Sequence, residues 1–244
     1  MSSNISIIIP TLNEAKYLER TLRNLTSLNP PAKEIVVVDG GSSDRTIKIA
    51  RSMGIRTLIS PQKGRSIQMN LGAKIATGNI VCFIHADTLV PDDLANIIEN
   101  TLADSTIAGG GFISLMMGQE RTRWGISFHN YLKTYYAPLI FRPHLFLRGF
   151  RVLFGDQVIF CRRKDFWDCG GFDLKLPIME DADLCLRLFN YGKIYLVDRI
   201  VQSSDRRVAK WGFFKANFIY LCIGFLWGIG VSGTYLKRFY DDIR

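Results

Sequence analysis

Four short segments of the chain place ionisable side chains in patterns suited to chemistry on a charged substrate. Asp39 runs into Gly40-Gly41-Ser42-Ser43-Asp44, a carboxylate followed by glycines that let the backbone turn tightly before a helix. Lys63-Gly64-Arg65 sets two cations around a glycine. That suits a diphosphate, which needs positive charge and close backbone approach, and it is equally what a solvated basic turn looks like. His85-Ala86-Asp87-Thr88 follows the apolar run Ile80-Val81-Cys82-Phe83-Ile84, so Asp87 lies at a sheet edge. A carboxylate there would repel a diphosphate unless Mg²⁺ or Mn²⁺ lay between them. Either ion accepts one or two carboxylates together with phosphate oxygens and water. His85 is a second ligand, a partner of the ligand, or a hydrogen-bonded structural residue. Finally, Glu180-Asp181-Ala182-Asp183 crowds three carboxylates at a helix start. They stabilise the helix dipole, or one of them activates an acceptor hydroxyl as a general base.

The elements that hold these segments alternate. Short β-branched runs at 5–9, 34–38, 56–60 and 80–84 read as buried strands, and helical periodicity appears at 14–28, 44–53, 66–76 and 93–104. Strand–helix alternation implies a parallel sheet covered by helices, with ligands beyond the carboxyl ends of the strands. The first three of the segments named above fall at such ends, as does Pro10-Thr11-Leu12-Asn13-Glu14 after the first strand, while the 180–183 segment follows an apolar stretch that holds it near the sheet. The rhythm breaks over 108–155, where Gly109-Gly110-Gly111 marks a bend or a close backbone approach and 119–151 is rich in arginine and aromatics. Further strands are expected at 157–161 and 193–197, with helices at 165–169 and 183–191.

In that order the motifs resemble those of the family 2 glycosyltransferases, over roughly residues 4–200. Residues 7–14 (IIIPTLNE) are similar to the family's opening signature, and 36–44 (VVVDGGSSD) to its second. Gly64-Arg65 through Asn70 and Gly72-Ala73 are similar to the segment after strand three. His85-Ala86-Asp87 stands where the family has its D-x-D motif, and Glu180-Asp181 where it has E-D. The resemblance implies a GT-A fold: a Rossmann-like, mainly parallel α/β sheet flanked by helices. It implies a nucleotide-sugar donor held by Pro10, Thr11, Asn13, Glu14, Asp39, Ser42, Asp44, Gly64, Arg65, Asn70 and Asp87. Thr11, Glu14 and Asp39 would bind the nucleoside, Asp39 taking the base edge, and Arg65 the nucleotide or pyrophosphate. Asp87 would ligate a divalent cation, Mn²⁺ or Mg²⁺. Asp181, beside Glu180, would deprotonate the acceptor, which inverts the anomeric carbon. Two departures stand out. His85 replaces the first Asp of D-x-D, and 203–207 lacks the histidine that often completes the metal site. The H-A-D variant, Gly155-Asp156-Gln157 and the arginine-rich tail are similar to a bacterial subgroup associated with radical-SAM partners or arsenosugar synthesis.

Composition narrows the setting. With 48% hydrophobic and 22% charged residues the chain is globular, not disordered. A net charge of +9 draws it to a nucleotide diphosphate or an anionic surface, or simply marks a basic soluble enzyme. Nucleic acid is not expected: the 119–151 stretch is too apolar for a phosphate-tracking groove and carries no binding motif. Five cysteines without a C-x-x-C pair suggest core hydrophobes in a reducing compartment, and no signal peptide is read at the N-terminus.

The catalytic domain is expected over 1–200 and a basic, hydrophobic helical extension over 201–244. Within the extension, 213–232 is apolar except for Lys215 and Asn217. It spans a membrane, lies at its interface, or packs inside the protein. Arg206, Arg207, Lys210 and Lys215 favour anionic headgroups. The expectation is therefore a cytoplasmic enzyme, peripheral to or anchored in the cytoplasmic face of a membrane, with a lipid-linked acceptor. A small soluble acceptor under an aromatic lid is the alternative. The rival functions are a nucleotidyltransferase, which usually needs a glycine-rich loop with Arg and Lys where Thr11-Leu12-Asn13-Glu14 stands, and a non-catalytic nucleotide-sugar-binding protein.

Overall fold

A computed structural model describes residues 3–118 and 122–240. Gln119 and Arg121, part of the arginine and aromatic stretch, lie outside the described residues. The first half alternates as expected: β1 (Ile5–Thr11), α1 (Leu18–Thr26), β2 (Glu34–Asp39), α2 (Thr46–Ser52), β3 (Arg56–Ile59), α3 (Arg65–Ile75), β4 (Ile80–Phe83) and α4 (Leu94–Ala103). The second half continues with β5 (Ile107–Met117), α5 (Trp124–Phe141), α6 (Pro143–Phe146), β6 (Ile159–Arg162), α7 (Arg163–Asp168), α8 (Glu180–Leu188) and β7 (Lys193–Ser204). It ends in α9 (Arg206–Trp211), α10 (Phe213–Gly228) and α11 (Gly233–Leu236).

The seven strands form one sheet in the order β3-β2-β1-β4-β6-β5-β7. β1, β2, β3 and β4 pair in parallel, β6 runs antiparallel to β4 and β5, and β5 pairs in parallel with β7. Buried parallel strands need apolar residues on both faces, and the runs in β1, β2 and β4 supply them. Ile5, Ile7 and Ile9 pack with Leu18, Leu22, Ala50, Leu94 and Ile98 on one face, under α1, α2 and α4. Ile8, Val36 and Val38 pack with Met69, Ala73, Phe166, Leu184 and Leu188 on the other, under α3, α7 and α8.

Two elements differ from the sequence expectation. The glycines at 109–111 do not bend the chain; they lie inside β5. They do mark a close approach, because a Cβ on Gly110 would stand 2.7 Å from the Tyr195 carbonyl oxygen and one on Gly109 2.8 Å from that of Phe160. The second is α5, whose buried positions Ile126, Ser127, Asn130, Lys133, Thr134 and Pro138 keep a helical period. Its pattern is inverted: the inward face is largely polar, while Trp124, Phe128, Leu132, Leu139 and Ile140 are exposed. Hydrophobicity therefore does not reveal the period.

The tail packs through two small clusters, one around Ile126, Val208 and Ala216, the other around Ile178, Ile223 and Leu236. Among the described residues no helix is long and apolar enough to cross a membrane.

One side chain fastens the ends of β1 and β2. Gln68 of α3 is buried and donates from Nε2 to the carbonyl oxygens of Thr11 and Val38, each at 2.7 Å. Gln68→Leu leaves the amide's work undone beneath the strand-end turns. It should lower stability by about 1–3 kcal/mol in a urea titration; an unchanged midpoint would show that the bonds are dispensable.

Candidate active site

The turn after β1 and the turn after β2 are built from each other. Asn13 sits at φ 57°, where asparagine is tolerated, and its Oδ1 accepts from the Ser43 N–H at 2.9 Å while its own N–H donates to Ser42 Oγ at 2.8 Å. Asp39 is fully buried. It accepts from the N–H groups of Gly41 and Ser42 at 2.8 and 2.7 Å, from Ser42 Oγ at 2.5 Å, and from Thr11 Oγ1 at 3.1 Å. Asp44 accepts from the N–H of Thr46 at 2.9 Å and of Ala15 at 3.1 Å. Asn13, Asp39, Ser42 and Asp44 thus shape the turns. Asn70 is tied elsewhere: its amide exchanges two hydrogen bonds with the backbone of Phe172 and seats the Gly170-Gly171 bend.

A cleft of about 630 Å³ lies over these strand ends, lined by Pro10, Thr11, Glu14, Lys63, Gly64, Arg65 and His85 on the sheet side and by the 174–178 segment, Arg206, Arg207 and Tyr240 opposite. Arg65, at the start of α3, reaches across it. Its Nε donates to Glu180 Oε1 at 2.6 Å, and Nη2 bonds the same oxygen and Asp181 Oδ2 at 3.2 Å. Its Nη1 lies 3.1 Å from His85 Nε2. A guanidinium only donates, so that ring nitrogen is the acceptor and the proton resides on Nδ1. Burial, then the charges of Arg65, Arg206 and Arg207, pull the His85 pKa well below its ordinary value, which leaves the imidazole neutral.

Glu180 and Asp181 are both buried at the first turn of α8. Burial pushes the Asp181 carboxyl up to about 7; Arg65 works against this, and the neighbouring Glu180 carboxylate adds to it. A carboxylate poised there accepts a proton at neutral pH. Gly155 allows the arrangement: a Cβ on it would stand 2.5 Å from His85 Nε2 and 3.0 Å from Asp181 Oδ2.

A second guanidinium serves the other pair of carboxylates. Arg206 binds Glu14 through two bonds of 2.8 Å and lies 3.3 Å from Asp87 Oδ2. Burial raises the Asp87 pKa, Arg206 opposes the shift, and Glu14 adds to it. Arg206 and Arg207, expected at lipid headgroups, turn inward instead, because buried carboxylates and the Tyr240 hydroxyl require their charge. Lys210 and Lys215 remain exposed.

The donor set bears on the metal. Among the described residues no three His, Cys, Asp or Glu side chains cluster to hold one. Asp87 offers a single carboxylate, and the free nitrogen of His85 faces Arg65. Mg²⁺ and Mn²⁺ are commonly held by one or two carboxylates with phosphates and water completing the shell. Asp87 therefore fits a metal that arrives with a diphosphate.

A family model, Glycosyl transferase family 2, matches residues 6–169. The chain belongs to that family. It is a glycosyltransferase with the GT-A fold. A PGL/p-HBAD biosynthesis glycosyltransferase of Mycobacterium bovis is 29% identical over 192 residues, 76% of this chain and 69% of that one. A mannosyltransferase from Pyrobaculum calidifontis, solved in complex with GDP-Man and Mn²⁺, superposes with a TM-score of 0.70 at 21% identity, covering 99% of this chain and 66% of that one. Glucosyl-3-phosphoglycerate synthase from Mycobacterium tuberculosis, with Mn²⁺, UDP and phosphoglyceric acid, gives a TM-score of 0.65 at 19% identity, covering 94% of this chain and 80% of that one.

The glycosyltransferase site holds residues that the sequence did not assign to it: Arg206, Gly155, Gln68 and Tyr240. Arg206 and Glu14 are 192 positions apart, and no local pattern links them. Arg206→Gln strands Glu14 and Asp87 without a cation. It should cost roughly 3 kcal/mol of stability by chemical denaturation, with Arg206→Lys intermediate; a neutral effect for Gln would remove the pairing from the account.

Proposed function

We propose that the enzyme transfers a sugar from a nucleotide-sugar donor, a UDP-sugar by first choice, to an acceptor hydroxyl with inversion, on a lipid-linked acceptor at a membrane surface. The observation that carries the transfer is the position of Asp181. It lines a chamber of about 220 Å³ that shares Arg65, His85, Arg206, Arg207 and Tyr240 with the strand-end cleft. In this reading the catalytic body is 1–200 and the extension 201–244 closes over it.

The nucleoside rests on Pro10, Thr11 and Glu14, and a base amide replaces the Ser42 hydroxyl on Asp39. The diphosphate lies against Gly64, Arg65 and the inward arginines. A divalent cation bound by Asp87 and the diphosphate would supply charge to the leaving group. Asp181 takes the acceptor proton as the acceptor oxygen bonds the anomeric carbon, and the bond to the diphosphate breaks on the opposite side. Glu180 keeps Arg65 in place. Support for the ligands comes from the solved neighbours, which hold GDP-Man or UDP together with Mn²⁺.

The lipid setting rests on apolar side chains facing outward. α5 exposes Phe128, Leu139 and Ile140, and α10 exposes Phe214, Phe218, Leu221 and Phe225. Contiguous exposed apolar surface marks contact with a membrane or a partner. The two helices would meet the membrane surface through these side chains, on the cytoplasmic face if the compartment is reducing.

Asp181→Asn keeps the shape and cannot accept the proton. Transfer should fall by about 10²–10⁴-fold, while calorimetry still shows nucleoside diphosphate binding that Mn²⁺ strengthens and Asp87→Ala renders metal-independent. Wild-type turnover in Asp181→Asn would remove that residue from the mechanism.

A further inference from the structure

Beside the catalytic chamber lies a second, partly open cavity of about 650 Å³, between α5, α10 and the 173–179 segment. That is the volume of a small-molecule site. Phe141, Phe150 and Trp227 give it an apolar wall, the half-exposed Leu221 and Phe225 form its rim, and Arg142, Asp173, Lys175 and Asp183 also line it. The cavity continues into the chamber that holds Asp181: Lys133, Phe154, Met179, Tyr220 and Gly224 line both. Lys133 stands at this neck. It is buried, its Nζ lies 3.6 Å from the centroid of the Phe154 ring, and among the described residues no carboxylate is within ion-pair distance. Asp156, the nearest acid acting on it, accepts from Asn130 at 3.0 Å.

A buried cation held against aromatic faces lacks the partner that burial ordinarily demands. Against the aromatic wall of Phe141, Phe150 and Trp227 a sugar would leave its hydroxyls unpaired, whereas a hydrocarbon chain would be favoured along its length. The outer side of the cavity is formed by the same two helices that present apolar side chains to the exterior, and Leu221 and Phe225 belong to both surfaces.

We propose that this cavity receives the hydrocarbon chain of an amphiphilic acceptor, that an anionic group of the same molecule pairs with Lys133 at the neck, and that its hydroxyl reaches Asp181. The proposal rests on the transfer reading above and deepens it: the acceptor is recognised by its chain as well as its head. It also assigns α10 a role as cavity wall rather than membrane span.

The test uses n-alkyl phosphates from hexyl to dodecyl, below their micelle concentrations, and dodecanol as the uncharged control, titrated calorimetrically into the full chain. Binding should tighten by up to about fourfold per methylene until the cavity is filled. Gly224 lines the neck and a Cβ on it would meet nothing within 4 Å, so Gly224→Trp places bulk there. This variant should weaken dodecyl phosphate at least tenfold and abolish the chain-length dependence. Lys133→Met should weaken the phosphate at least tenfold and leave dodecanol unchanged. Nucleoside diphosphate titrations of the same proteins report whether each is folded and test the donor cleft separately. If the wild type binds nucleoside diphosphate but alkyl phosphates bind without chain-length dependence, or as tightly to both variants, the cavity proposal is overturned and the transfer reading stands. If chains bind as expected and nucleoside diphosphates do not, the fault lies with the transfer reading.

Discussion

The site depends on keeping adjacent carboxylates ionisable inside protein. Glu180 and Asp181 are neighbours at a helix start, both buried, and two such groups cannot both shed their protons without a cation between them. Arg65 is that cation. It arrives from α3, more than a hundred residues earlier in the chain, and its planar fork spans both acids and the neutral ring of His85. An ammonium could neutralise one acid but could not address three groups in one plane. Removing the guanidinium would leave buried charge uncompensated and would release the imidazole at the end of β4.

Arg206 repeats the solution on the other side of the cleft, where Glu14 and Asp87 end the first and fourth strands. The two arginines differ in origin. Arg65 belongs to the sheet's own helices, whereas Arg206 opens the C-terminal helices, so the cleft has its full set of charges only with the tail in place. Arg207 and Tyr240 extend this contact over the opening. The same helices give the cavity behind the neck its outer wall. The tail therefore serves the site twice, as a source of positive charge toward the donor and as an apolar boundary toward the acceptor.

Much of this was legible from the residues, for identifiable reasons. Strands one, two and four announce themselves because a buried parallel strand needs β-branched residues on both faces, whereas β3, expected to be buried, is the exposed edge of the sheet; the polar residues that follow these strands fall at the carboxyl edge. β5 was hidden because closely packed backbones exclude side chains, and its glycines, read as a bend or a close approach, prove to be the close approach inside a strand. α5 was hidden because its inward face carries Ser127, Asn130, Lys133 and Thr134, the reverse of the usual pattern. Asp181 and Asp87 were legible as carboxylates at element ends. Their partners were not, since Arg65–Glu180 and Arg206–Glu14 join distant segments. Arg206 in particular read as a headgroup ligand, because a run of basic residues looks alike whether it faces lipid or a buried acid.

The central claim is electrostatic: burial raises the Asp181 carboxyl to about 7, and Arg65 keeps it from rising further. Below that midpoint the group is protonated and cannot accept the acceptor's proton, so the base becomes available as pH rises through neutrality. ¹³C NMR titration of aspartate-labelled enzyme, with the Asp181 signal identified by its loss in Asp181→Asn, measures this directly. The account predicts a midpoint near 7 that moves upward in Arg65→Met, where burial remains and the opposing charge is gone. A midpoint close to the ordinary 3.8 in the folded wild type, or a downward move without Arg65, would contradict it.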